Sequence, residues 1–135
     1  MATGVAREWR EIPARYNLIG SRCENCGKIF FPARSLCPEC RRAGMGMMKP
    51  YKLSGKGEIY SFSVVHDSPD FNSAMMPYAV AFVKDDDGVL IAGQVVDTGL
   101  EGLKIGMRVH TVFRKLSEDG KAGIIKYGFK FAPDI

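Results

Sequence analysis

A chain of 135 residues with 46% hydrophobic and 25% charged side chains is the size of one ordinary domain or two small modules, and reads as a soluble globular protein. No apolar run approaches the roughly 20 residues that span a bilayer, and the opening MATGVAREWREIPARY is charged from Arg7 onward, unlike a secretory leader. The net charge of +4 is uneven: residues 1–56 carry eleven Lys and Arg against four Asp and Glu, and residues 57–135 carry eight against eleven, so a basic part precedes a mildly acidic one.

The first predicted element is helical. Trp9, Ile12, Tyr16 and Ile19 are spaced three, four and three apart, which sets them on one face, while Arg7, Glu8, Arg10, Glu11 and Arg15 lie mostly off that stripe. Pro13 falls in the middle, so the expectation is two short helical turns with a kink. The stripe, with the chain's single tryptophan, either packs on the protein's own following module or lays Trp9, Ile12 and Tyr16 into another protein's groove.

Next comes CENCGKIFFPARSLCPEC, residues 23–40, which holds every cysteine of the chain. In the cytoplasm, the expected compartment, disulfides are rare and thiols stay reduced. Two C-x2-C knuckles, Cys23/Cys26 and Cys37/Cys40, can present four thiolates to one tetrahedral zinc ion. Iron is the rival occupant, because Cys37-Pro38-Glu39-Cys40 is similar to a rubredoxin knuckle. Zinc is preferred, since closed four-cysteine sites are usually structural and no electron-transfer partner motif accompanies them. Gly27 suits the left-handed turn that a knuckle needs. Arg41 holds the equivalent place in the second knuckle, which must be built differently or bear strain. Lys28-Ile29-Phe30-Phe31 reads as a short strand ended by Pro32. Lys28, Arg34, Arg41 and Arg42 either offset the surplus negative charge of four thiolates or serve a ligand.

From Gly57 onward the pattern has period two, with runs at 59–65, 78–83, 89–96, 107–114 and 124–131. Tyr60, Phe62 and Val64 share one face of the first run. Asp85-Asp86-Asp87-Gly88 is a hairpin signal, and Gly93 within its run suggests a bulge or bend. Val109, Thr111 and Phe113 are expected inward, with Arg108, His110 and Arg114 outward; Ile125, Tyr127, Phe129 and Phe131 share one face of the last run. Five antiparallel strands of this length fit an OB-type barrel. The fold class expected is therefore mainly β: a helical segment over 1–20, a zinc ribbon over 21–52 and the barrel over 53–135. The long loop Asp67–Pro77 places Phe71, Met75 and Met76 either over the barrel mouth or in an adaptable binding surface.

An OB barrel beside a ribbon raises nucleic acid as a partner. The strands that would bind it are nearly all aliphatic, with Lys84 their only base and three aspartates in their turn, and the barrel half is net negative, so nucleic acid is disfavoured. His66 and His110 stand far apart without a serine or thiol nucleophile motif, and Gly55-Lys56-Gly57 is too short for a phosphate loop. No catalytic constellation is expected.

The order of aromatic-striped helix, rubredoxin-like ribbon, and then GKGEIYSFSVVH, PYAVAFV and IGMRVHTVFRK closely resembles the acyl-CoA-associated OB-fold proteins with an N-terminal zinc ribbon, long classed as a domain of unknown function. The resemblance runs from about Trp9 to Pro133, and REIPARYNLIGSRCENCG and GIIKYGFKF look most like its archaeal members. Those are implied to bridge acetoacetyl-CoA thiolase and 3-hydroxy-3-methylglutaryl-CoA synthase in the mevalonate route, drawing an unfavourable condensation forward. The resemblance implies a non-catalytic scaffold with zinc on Cys23, Cys26, Cys37 and Cys40. Arg41, where many relatives carry glycine, leaves those ligands untouched. A stand-alone coenzyme A or acyl-CoA binder is the alternative, with the basic ribbon half near the coenzyme A phosphates and no binding residue assignable.

Overall fold

The computed structural model describes residues 4–67, 77–118 and 120–134. Helix α1, Val5–Asn17, is followed by the ribbon strands β1 (Ile19–Cys23), β2 (Ile29–Phe30) and β3 (Met48–Lys52). The barrel strands are β4 (Lys56–Val65), β5 (Tyr78–Asp85), β6 (Leu90–Val95), β7 (Arg108–Glu118) and β8 (Ile125–Pro133). The ribbon sheet has the order β2-β1-β3, and the barrel closes as β4-β5-β6-β8-β7. That order is OB-type: a meander, then a crossing that sets β6 parallel to β8.

The expected interruption of α1 is not found. The helix runs unbroken through Pro13 to Leu18, which ends it in the left-handed conformation at φ 54°. Pro13 lacks only the amide that would bond the Trp9 carbonyl. The turns on either side are tied by ion pairs of Glu11 with Arg7 and Arg15, and the helix lies chiefly against β8. Of the stripe, Tyr16 therefore meets the barrel rather than the ribbon, Trp9 stays exposed, and Ile19 falls in β1 instead of the helix.

The core gathers Leu18, Leu53, Ile59, Val83, Ile91, Val109 and Phe131 between helix, linker and barrel. Two strand expectations are corrected. Gly93 makes no bulge, since β5 and β6 pair without a shift. A Cβ there would fall 2.7 Å from the Phe131 ring, so close packing requires the glycine. The bulges sit at Ile59/Ser61 and Lys115/Ser117. Phe113 is not inward: β7 pairs with β4 only over Arg108–His110, whereas it follows β8 out to Glu118. Beyond the barrel its ring meets Tyr16 edge-on at 5.0 Å and stacks on Tyr127 at 5.4 Å.

The aspartates of the β5–β6 turn do more than close a hairpin. Asp85 is buried and accepts from the Ser54 hydroxyl, the Gly55 N–H and the Asp87 N–H at 2.9–3.2 Å. Asp87 accepts from the Tyr51 hydroxyl and the Ser54 N–H at 3.0 and 3.1 Å. Asp86 receives both arms of Arg108 from β7 at 2.9 and 3.1 Å. Burial pushes the Asp85 carboxyl above its ordinary range, against the Asp87 N–H and the Ser54 hydroxyl, while Arg108 holds Asp86 below it. The turn thus joins the last ribbon strand, the linker and the barrel. Asp85→Ala leaves the Ser54, Gly55 and Asp87 donors without their acceptor. It should lower stability by about 2–3 kcal/mol, read as a fall in urea midpoint at unchanged slope.

Candidate metal centre and docking face

The metal centre starts from two turns of the same build. In the first, Gly27 at φ 79° donates its N–H to the Cys23 carbonyl at 2.7 Å; in the second, Arg41 at φ 50° donates to the Cys37 carbonyl at 2.9 Å. Arg41 adopts the left-handed conformation that glycine would take without cost, so the second knuckle is not built differently. A short 3-10 turn, Arg41–Gly44, follows. Gly44 is needed where it stands, because a Cβ there would lie 2.8 Å from the Cys40 Cβ and 3.4 Å from the Cys37 Cβ.

These turns bring all four sulfurs within 4.8 Å of one another. Cys23 and Cys40 are 3.8 Å apart, Cys26 and Cys37 3.6 Å. Both distances far exceed a disulfide bond of about 2.05 Å. They match the edge of about 3.8 Å that a tetrahedron with 2.3 Å metal–sulfur bonds requires. Electrostatics agree with a cation. The Cys37 thiol is buried, which raises its pKa, but the backbone N–H groups of Cys40 and Glu39 and the Cys26 and Cys23 thiols bring it down to about 7. The Asn25 amide, 3.1 Å from the Cys40 sulfur, favours that thiolate, but Cys26, burial, Cys23 and Cys37 together push it up to about 12. Four sulfurs this close cannot all ionise without a positive charge among them. The donor set fits a closed structural ion, with no ligand position left over for chemistry.

Two of the four nearby cations are otherwise engaged. Lys28 pairs with Glu39 at 3.1 Å on the surface, and the Arg34 guanidinium lies 5.1 Å from the centre of the Phe30 ring. Asn25 and Gly44 were not singled out from sequence. An amide between the first two cysteines and a lone small residue after the second knuckle were the available signals.

The second candidate surface is the seam between α1 and the start of β8. Trp9 is 75% exposed, Tyr16 40% and Ile125 46%. With Ile12 and Tyr127 they border a cavity of 160 Å³. Glu8 and Lys126 sit at its edge, 3.8 Å apart. The structure therefore brings Trp9, Ile12 and Tyr16 together, with Tyr16 anchored on Phe113 and Trp9 left open. Phe71, Met75 and Met76 lie outside the described residues.

A third cluster has a chemical look. His110 Nδ1 is 2.6 Å from Asp134 Oδ1, at a cleft shared with Ser54 and Thr111. The Ser54 hydroxyl is directed at Asp85 and at the Lys56 carbonyl, 3.2 Å away. Among the described residues no hydroxyl is bonded to the imidazole. No helix among them is long and apolar enough to cross a membrane.

Comparison with known proteins follows the same two-part division. Residues 10–46 match the ChsH2 rubredoxin-like zinc ribbon domain, and residues 51–114 the ChsH2 C-terminal OB-fold domain. A DUF35 domain-containing scaffold protein of Methanothermobacter thermautotrophicus is 47% identical over 98% of both chains. Another from Methanocaldococcus jannaschii is 48% identical over 96% of this chain and 90% of its own. Among solved structures, the chain is similar to one in the Ltp2-ChsH2(DUF35) aldolase, with a TM-score of 0.71, 25% identity and 98% of each chain covered.

Proposed function

Because this chain belongs to the DUF35 family of ribbon-plus-OB-fold proteins, we propose that it is a non-catalytic cytoplasmic scaffold that bridges acetoacetyl-CoA thiolase and 3-hydroxy-3-methylglutaryl-CoA synthase in the mevalonate route. Cys23, Cys26, Cys37 and Cys40 hold one structural zinc ion, whose part is to fix the ribbon. The carrying observation is Trp9: the chain's only tryptophan stands 75% exposed on a helix that is itself anchored to the barrel. A large aromatic side chain on a rigid element, beside an apolar groove, is the makeup of an interface anchor. Support also comes from the names of its relatives, which are scaffold proteins, and from the aldolase assembly in which the similar solved chain occurs.

A bridge needs two contact faces. The outer face of β4–β6 offers a second, where Val80, Phe82 and Leu90 stand exposed beside Tyr60, which lies at the β4 bulge and is also exposed. A largely apolar face whose bases are Lys56 and Lys84, with Glu58 beside them, suits a protein partner better than a phosphate backbone. Tagged protein purified from its native cells should bring down thiolase and synthase together. Recovery of neither enzyme overturns the reading.

A further inference from the structure

Strands β6 and β8 run parallel and share one register pair, Val95 with Phe131. Short of that pair, their facing flanks form no ladder among the described residues. The space between them is a cavity of 270 Å³, lined by Gly93 and Gln94 from β6, Gly128 and Lys130 from β8, Leu116 from β7 and Arg15 from α1, among others. That is about nine times the ~30 Å³ share of one liquid water, so a small polyatomic group fits. Both flanks include a glycine: a Cβ on Gly93 would strike the Phe131 ring at 2.7 Å, and one on Gly128 the Leu116 side chain at 2.8 Å. Backbone is therefore part of the cavity wall on both sides.

Lys130 is only 4% exposed. A lysine with a covered stem ordinarily carries its ammonium to water or to a carboxylate. Among the described residues, the Lys130 side chain has no hydrogen bond or ion pair, and the charge that acts on it is the like-signed Arg114. The neighbouring charges are already matched. Arg114 is held by Asp97 at 2.6 Å, Arg15 by Glu11 and Glu8, and Lys126 lies 3.8 Å from Glu8. One positive charge is left over at the cleft: the Lys130 stem is covered, and no carboxylate among the described residues meets its ammonium. Burial, then Arg114, accordingly draws the Lys130 amine below its ordinary range.

We propose that the cleft between β6 and β8 binds a small anionic group, a carboxylate or a phosphate, through the Lys130 ammonium, with the Gln94 amide and the unladdered strand flanks supplying further donors. The site lies within the barrel wall and involves neither the four cysteines nor Trp9, so it goes beyond the scaffold reading. The test uses the full chain alone, without partner enzymes, so its outcome is separate from the fate of that reading.

Thermal unfolding and calorimetry are run in sodium acetate, in inorganic phosphate and in chloride at matched ionic strength, on wild type and on Lys130→Met, which keeps the length and removes the charge. Wild type should bind one of the two anions saturably, and the variant at least tenfold more weakly. Saturation by phosphate alone assigns the site to phosphate esters; saturation by acetate alone assigns it to carboxylates. Lys130→Gln replaces the methionine variant if that one does not fold, and the ¹⁵N shift of the Lys130 Nζ on titrating each anion into wild type needs no variant. No response of wild type beyond chloride, an unmoved Nζ signal, or equal binding by the variant overturns the proposal.

Discussion

Cys37→Ser is expected to strip the zinc from the chain and to unfold the ribbon while the barrel survives. Cys37 is fully buried, its sulfur lies 3.6 Å from that of Cys26, and its carbonyl receives the N–H that closes the second knuckle. A hydroxyl there is a shorter, harder and weaker donor, and the three remaining thiols no longer complete the tetrahedron. In small zinc modules the metal contributes about 10–16 kcal/mol to folding, far more than a two-stranded contact such as Ser21–Phe30 and Arg22–Ile29 can replace. Elemental analysis should fall from one zinc per chain to nearly none. Amide exchange should speed up over Ile19–Cys23 and Met48–Lys52, while β5 and β6 stay protected, since the core draws chiefly on barrel residues. Unchanged metal content in the variant defeats the assignment.

Trp9→Ala is expected to leave the fold intact and to weaken capture of one partner enzyme by about 30- to 900-fold, the equivalent of about 2–4 kcal/mol for a central aromatic anchor. With three quarters of Trp9 exposed, its removal creates no cavity, and thermal stability should move by less than about 0.5 kcal/mol. Tyr16→Ala is the contrasting variant. Its ring packs edge-on against Phe113, so stability and binding should fall together. Titrating thiolase and synthase separately against the Trp9 variant tells which of them sits on α1, because only that one should lose affinity. Wild-type affinity for both would remove α1 from the interface.

Much of this architecture was legible because the strongest signals are short-range. Cysteine spacing dictates a metal-sized cluster almost regardless of context, and five alternating runs foretell a small barrel. What escaped depends on where elements end relative to one another. Strand β3 was hidden because it is short and has Pro50 at its centre; it is an edge strand, where a missing N–H costs nothing to a neighbour. Phe113 continues the inward parity of Val109, but parity says nothing about the point at which a strand leaves its barrel. Gly93 looked like a bend, although the cause, the Phe131 ring, lies 38 positions away in the chain. The groove beside Trp9 needs β8 to arrive under α1, which no local pattern announces. Lys130 sits in an alternating strand where a lysine is ordinarily read as solvent-facing, and only the closed fold shows it enclosed.

The knot of hydrogen bonds around Asp85 and Asp87 bears on how such a bridge would work. Tyr51, Ser54 and Gly55 are all fastened to one hairpin tip, so the chain between ribbon and barrel has little freedom to swivel. The ribbon would be kept at a constant separation and angle from the two contact faces carried by the barrel, as on a spacer of set length, instead of drifting as a tethered neighbour does. Loosening that one joint should therefore set the ribbon free to swivel even where both enzymes are still gripped as firmly as before.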